Sequence, residues 1–164
     1  AHGATVILAG RTVAKLEQVY DSIVANGGAE PVIYPIDLEG ANSDDYNTLC
    51  NQLDEQFGRL DGLLHNAGIL GQRTPLSNYR TDVWDKVMQV NVTAAFQMTQ
   101  ALMPVLEKSA SASVVFTTSS VGRAGRSFWG AYAVSKFAVE GMVQVWASEL
   151  EGVGSVRIKS IPVS

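Results

Sequence analysis

Thr5 to Ala9 (TVILA) is a short continuous apolar run, the pattern of a strand buried on both faces. The period then changes. Val13, Leu16, Val19, Tyr20 and Ile23 recur at helical spacing, Thr12 can cap that helix, and Asn26-Gly27-Gly28 ends it. A strand is predicted over 32–36, followed by Asp37, and a second helix opens with Ser43 as its cap. The stripe of this helix is Tyr46, Leu49, Cys50, Leu53 and Phe57, and Gly58 closes it. Residues 60–65 read as a third strand that runs straight into Asn66-Ala67-Gly68. After a loop to about Asn78, a long helix is predicted over about 82–107. A bend is expected in it around Val90-Asn91-Val92-Thr93, where β-branched residues gather, and Pro104 stands close to its end. Residues 113–118 (SVVFTT) form a fourth strand, 132–150 a helix and 155–161 a fifth strand. At the other end, Ala1-His2-Gly3-Ala4 looks like a helix end closed by its glycine.

Strict alternation of strand and helix, with near-continuously apolar strands, indicates an α/β fold: a doubly wound parallel sheet with helices on both faces. Ligands in such folds lie beyond the carboxyl ends of the strands. Those ends here carry Gly10-Arg11, Asp37, Asn66-Ala67-Gly68 and Ser119.

Composition narrows the partners. The 164 residues, 46% hydrophobic and 17% charged, suit one ordinary domain with its own core. A net charge of -4 gives no electrostatic reason to expect nucleic acid or an anionic membrane surface. No apolar run approaches the roughly 18 residues a membrane span needs. Cys50 is the only cysteine, which rules out an intrachain disulfide and reads as core packing. The two histidines, His2 and His65, form no cluster at metal-ligand spacing, so no metal is expected. A reducing, cytoplasmic setting fits this cysteine usage.

The candidate chemistry sits in Ala131-Tyr132-Ala133-Val134-Ser135-Lys136. Positions four apart share a helix face, so the tyrosine oxygen and the lysine nitrogen can approach one point. A half-buried ring beside a solvated amine would satisfy the same spacing. Two other features single the pair out: Ser119 and Ser120 end the fourth strand just upstream, and Asn91 lies inside a helix, where asparagine is a mediocre former.

Together these residues resemble the short-chain dehydrogenases/reductases, and among them most closely the bacterial YciK-like oxidoreductases. The family's Y-x-x-x-K appears as Tyr132 and Lys136, its upstream serine as Ser119, its N-N-A-G as His65-Asn66-Ala67-Gly68, and its helix asparagine as Asn91. The resemblance implies a Rossmann-type NAD(P)-binding domain spanning 1–164 and a reaction that moves a hydride between nicotinamide and a carbonyl or alcohol carbon. It implies Tyr132 as the acid/base at the substrate oxygen, Ser119 as a hydrogen-bond partner of that oxygen, Lys136 on the nicotinamide ribose and near the phenol, and Asn91 as the anchor of a water leading from Lys136 towards solvent. His65, in place of the family's commoner first asparagine, reads as packing.

For the cofactor, the resemblance puts the choice at Gly10-Arg11-Thr12. An acidic residue there would accept from the adenosine ribose and repel a 2′-phosphate. Gly10 followed by Arg11 instead favours NADP over NAD, through a charge-assisted contact. The less favoured alternative is that Arg11 is a solvated arginine at a helix start. The resemblance also implies that Asp37 and Leu38 border the adenine and that Asn66, Ala67 and Gly68 form the floor beneath the adenosine.

The family's first strand and its T-G-x-x-x-G-x-G turn have no counterpart here, which would leave buried strand edges unpaired. The expectation is therefore that the sequence is part of a longer polypeptide, incomplete at both ends. Ser160-Ile161-Pro162-Val163-Ser164 likewise matches poorly to the turn and substrate-covering loop that usually follow. Ile69 to Pro75 and Arg123 to Gly130, with Phe128 and Trp129, suggest a partly apolar pocket with basic residues nearby. Phe137, Met142, Val145 and Trp146 offer apolar surface for a homo-oligomer interface or for the domain core. The competing expectations are a non-catalytic nucleotide-binding or regulatory protein of the same fold, and an inactive fragment of a longer dehydrogenase.

Overall fold

The structure is a computed structural model, and it describes residues 2–163. These fall into two compact units, one ending at Ala41 and the other beginning at Asn42. The predicted helix end at the amino terminus lies partly outside the described residues, at Ala1; Gly3 has the positive φ of 82° that such a closing glycine would adopt, but His2 is not helical. Ser164, the last residue of the mismatched carboxyl end, also lies outside them.

The first unit is a β-α-β motif. Strand β1 (Ile7–Gly10) pairs in parallel with β2 (Val32–Pro35), starting from Ile7 opposite Val32. Helix α1 (Val13–Ala25) connects them. Thr12 is its N-cap, as expected, although the side chain makes no capping hydrogen bond. The carboxyl end closes as the sequence predicts: the Gly27 and Gly28 N–H groups donate to Val24 and Ile23 carbonyls, with Gly27 at φ 71°.

The second unit opens with α2 (Ser43–Phe57). Its cap is Asn42, one residue before the expected Ser43. The Asn42 side chain accepts from the Asp44 N–H, and its own N–H donates to the Asp45 carboxylate, both at 2.8 Å. Reciprocal bonding of this kind satisfies more orphan donors than a lone serine hydroxyl would, which explains the shift. Gly58 ends the helix in the left-handed region, as predicted.

Three parallel strands form the sheet of this unit in the order β3 (Gly62–His65), β4 (Ala112–Ser119) and β5 (Val156–Val163). The long helix is interrupted where a bend was expected. Helix α3 (Thr81–Met88) passes through a π-helical turn at Gln89–Thr93 into α4 (Ala94–Glu107), and Asn91 lies within that turn. Helix α5 (Gly130–Glu149) packs on β4 and β5, and α2 packs on α4. The core is built from Tyr46, Val87, Leu102, Leu106, Val114 and Phe116, all at most 1% exposed. Strand β5 runs two residues further than expected and carries Pro162 opposite Thr118, a tolerable place for proline in a strand that, among the described residues, pairs only with β4.

Candidate active site

The site is assembled around the carboxyl ends of β3 and β4 and the first two turns of α5. Lys136 is only 6% exposed, and its Nζ donates to the Thr117 carbonyl at 2.8 Å. Burial holds its pKa below the ordinary lysine value. The Tyr132 ring is half-buried, with Lys136 Nζ 5.5 Å from its centroid and the Trp129 ring 5.9 Å away. The Tyr132 hydroxyl makes no hydrogen bond among the described residues. Ser119 ends β4 at 8% exposure, and its hydroxyl likewise has no partner among them.

Asn91 clamps this cluster to the segment after β3. Its Oδ1 accepts from the Ile69 N–H at 2.8 Å, and its Nδ2 donates at 3.0 Å both to the Ile69 carbonyl and to Ser135 Oγ. Ser135 in turn donates to the Tyr132 carbonyl. The cost of an asparagine inside a helix is thus offset by three bonds to a buried side chain, and the π-helical turn aims the amide. Gly68 belongs to the same cluster, because a Cβ there would lie 3.4 Å from Asn91 Oδ1 and 3.8 Å from Lys136 Nζ.

The sequence-predicted residues therefore divide. Asn91, Gly68, Tyr132 and Lys136 come together, with Ser119 two residues beyond the Thr117 carbonyl that receives Lys136. Asn66 accepts from Thr117 Oγ1 at 3.1 Å, and Ala67 lies exposed beside it. Gly10, Arg11, Asp37 and Leu38 lie in the unit ending at Ala41. There Arg11 is exposed at the start of α1 and forms no ion pair among the described residues, while Asp37 Oδ1 accepts from the Glu39 N–H at 3.2 Å.

His65 is a packed ring. It stacks on Phe116 at 4.5 Å, and its Nε2 lies 2.8 Å from Thr99 Oγ1. The single Thr99 hydroxyl proton goes to the Ala95 carbonyl, so Nε2 carries the hydrogen it donates to Thr99. Burial pushes the His65 pKa down to about 4. Cys50 is half-buried, and burial together with the Asp54 carboxylate pushes its thiol up, away from the reactive thiolate.

Several residues escaped the sequence reading. Ser135 lay in plain view inside the tyrosine-lysine motif. Glu140, one turn beyond Lys136, interrupts an apolar helix face and is 9% exposed. Its carboxylate accepts from Thr118, Ser160 and Arg123, which ties α5 to β4, to β5 and to the loop between β4 and α5. Although burial pushes its pKa up, these bonds and the Arg123 charge outweigh that and hold it below the usual carboxylate value. Gly122 lets the loop approach closely: a Cβ there would meet the Lys136 Cβ and main chain at 2.8–3.0 Å.

Comparison with known proteins is consistent along the chain. Residues 1–163 match the family described as short chain dehydrogenase. The Escherichia coli (strain K12) oxidoreductase YciK is 51% identical over 150 residues, covering 92% of this chain and 60% of its own length. A short chain dehydrogenase structure from Pseudomonas syringae superposes with a TM-score of 0.96 at 52% identity, over 98% of this chain and 66% of its own. One from Escherichia coli CFT073, complexed with NADPH, gives a TM-score of 0.94 at 50% identity with the same coverages. The chain thus spans somewhat less than two thirds of these relatives. Parallel strands flanked by helices, a tyrosine-lysine pair on α5 and a match along nearly the whole sequence lead to one conclusion: this chain belongs to the short-chain dehydrogenase family and has its Rossmann-type α/β fold.

Proposed function

We propose that the chain forms part of an NADP-dependent oxidoreductase that interconverts a carbonyl and an alcohol, with Tyr132 as acid/base. The observation that carries this reading is the Tyr132 hydroxyl, free of protein partners among the described residues and beside the buried Lys136 ammonium. At an effective dielectric of about 20, one positive charge 5.5 Å from the ring centre is worth roughly 3 kcal/mol to charge on the ring of a phenolate. Lys136 uses one of its three donors on Thr117 and keeps the others for a polar ligand.

These groups fit a nicotinamide cofactor. Lys136 would hold ribose hydroxyls, Gly68 leaves room for close approach, and exposed Arg11 would take a 2′-phosphate, in keeping with the NADPH complex of the Escherichia coli CFT073 relative. Asp37, Leu38, Asn66 and Ala67 would serve the adenosine. When bound, the cofactor supplies or accepts the hydride. The residues of the chain do the rest: Tyr132 moves the proton at the substrate oxygen, Ser119 donates a hydrogen bond to that oxygen and orients it, and Asn91 keeps α5 and the segment after β3 in register. A purely nucleotide-binding role has no use for unpartnered hydroxyls at both Ser119 and Tyr132.

Tyr132→Phe in the complete protein should lower turnover about a hundredfold to ten-thousandfold. NADPH affinity, read by nicotinamide fluorescence, should stay within a few-fold. Turnover retained by this variant would sink the acid/base assignment.

A homo-oligomer in the cytoplasm is part of the same proposal. Phe96, Phe137 and Val145 are 41%, 45% and 58% exposed on α4 and α5, an apolar surface suited to a second copy. A monomer in sedimentation at micromolar concentration would count against it. Among the described residues no helix is long and apolar enough to cross a membrane.

A further inference from the structure

The chain carries a net charge of -4, yet two segments that flank the site, 66–80 and 117–139, contain no acidic residue and five basic ones: Arg73, Arg80, Arg123, Arg126 and Lys136. Three of the five are engaged. Arg80 pairs with Asp82, Arg123 with Glu140, and Lys136 with the Thr117 carbonyl. Arg73 and Arg126 form no ion pair among the described residues.

Arg73 is nonetheless held in place. Its guanidinium lies over the Trp129 ring at 4.7 Å from the centroid, and Trp129 contacts Tyr132. The cation therefore stands two ring contacts from the phenol. Its support is built into the loop: the Trp129 N–H donates to the Arg126 carbonyl, closing a turn whose third residue, Phe128, has a φ of 69°. A bulky side chain in that conformation is strained, and the turn that imposes it also fixes the indole on which Arg73 rests. Stacking leaves the guanidinium edge free, with its paired N–H donors able to grip two oxygens at once.

We propose that Arg73, held on Trp129, is the specificity residue of the substrate site, and that the substrate is a carbonyl or alcohol compound bearing a carboxylate or phosphate. The inference rests on the dehydrogenase reading above. An anion at the Arg73 edge places the remainder of a small molecule along the indole and its reacting carbon towards Tyr132. Arg126, exposed in the same turn, adds to the positive field without touching the ring pair.

The test uses the complete protein with NADPH and three aldehydes of one shape: para-carboxybenzaldehyde, its methyl ester, and para-formylphenyl phosphate. One charge-assisted contact predicts a kcat/KM at least about tenfold higher for an anionic aldehyde than for the ester. Whether carboxylate or phosphate leads identifies the anion. Arg73→Gln should remove most of that preference by raising KM for the anions, with kcat little affected and NADPH affinity unmoved; Arg73→Lys should restore only part of it. A wild-type enzyme that treats ester and anions alike would overturn the proposal. So would an Arg73→Gln variant that loses all three substrates equally or binds NADPH more weakly. Calorimetric binding of the acid and the ester to NADPH-loaded Tyr132→Phe separates this inference from the acid/base reading, because it needs no turnover. An acid preference there that Arg73→Gln abolishes upholds the anion site even if Tyr132 proves not to be the acid/base, and no acid preference there overturns it.

Discussion

Helices α1 and α4 show comparable apolar stripes in the sequence and meet opposite fates in the structure. Helix α4 buries seven side chains, among them Met98, Leu102, Val105 and Leu106, whereas α1 buries none, and its Val13, Val19 and Val24 are 43–46% exposed. Periodicity thus specifies a helix and the face that is to be buried. It does not say how much is gained, because helical stability in proteins comes mainly from what the stripe packs against. The chemistry follows the same division: the buried ammonium, the clamped asparagine and the stacked histidine all lie in the unit that begins at Asn42.

The largest test of this contrast is truncation of one apolar side chain on each helix. Leu102 is 1% exposed, so Leu102→Ala removes buried methyl groups and leaves a cavity, costing about 2–5 kcal/mol. Val19 is 46% exposed, and Val19→Ala should stay within about 0.5 kcal/mol. Urea unfolding of the chain 1–164, to which these exposures belong, measures both. Equal costs would break the comparison, since they would mean that the α1 stripe is packed as tightly as that of α4.

Acid offers the next test. His65 is held neutral, with its pKa down at about 4 against 6.5 for a free imidazole. Between those values the unfolded chain takes up a proton that the folded chain refuses, so the contribution of His65 is complete above pH 6.5 and is lost as pH falls towards 4. From pH 7 to pH 5 the loss amounts to about 2 kcal/mol. Glu140 and Asp61, whose pKa values are lowered, lose their contributions at the acid end of the same titration, so wild type must be compared with His65→Gln. The variant should show the shallower decline. Parallel declines would mean that the packed ring does not set the pH response of this unit.

Much of the architecture was legible because it is encoded locally. Short apolar runs and helical stripes placed every strand and α-helix to within a few residues, and β-branched residues around Asn91 foretold the irregular helix, though not its π form. The tyrosine-lysine pair was legible for the same reason, since one helix carries both residues at fixed spacing. What stayed hidden depends on contacts between distant segments. The Thr117 carbonyl beneath Lys136, the Ser135 link to Asn91, the Glu140 tie across β4 and β5, and the Arg73–Trp129 stack join residues 19 to 56 positions apart. No periodicity records such pairs. Sequence could have flagged Glu140, as an acid on an apolar face, but could not name its three donors.

The finest contrast lies at the helix starts, where α1 and α2 both begin after a residue of good capping type. Asn42 makes the reciprocal capping bonds with Asp44 and Asp45, whereas the Thr12 hydroxyl makes none. Asn42→Ala should therefore cost about 1 kcal/mol and Thr12→Ala only a few tenths. The acidic first turn of α2 works in the same direction, because Asp44 and Asp45 face the positive end of the helix dipole and α1 has no acid in its first turn. Added salt should then shrink the cost at Asn42 slightly and leave that at Thr12 unchanged. Equal costs for the two alanine variants in denaturant titrations would mean that the Thr12 hydroxyl caps α1 in solution, and the two helices would then differ in burial alone.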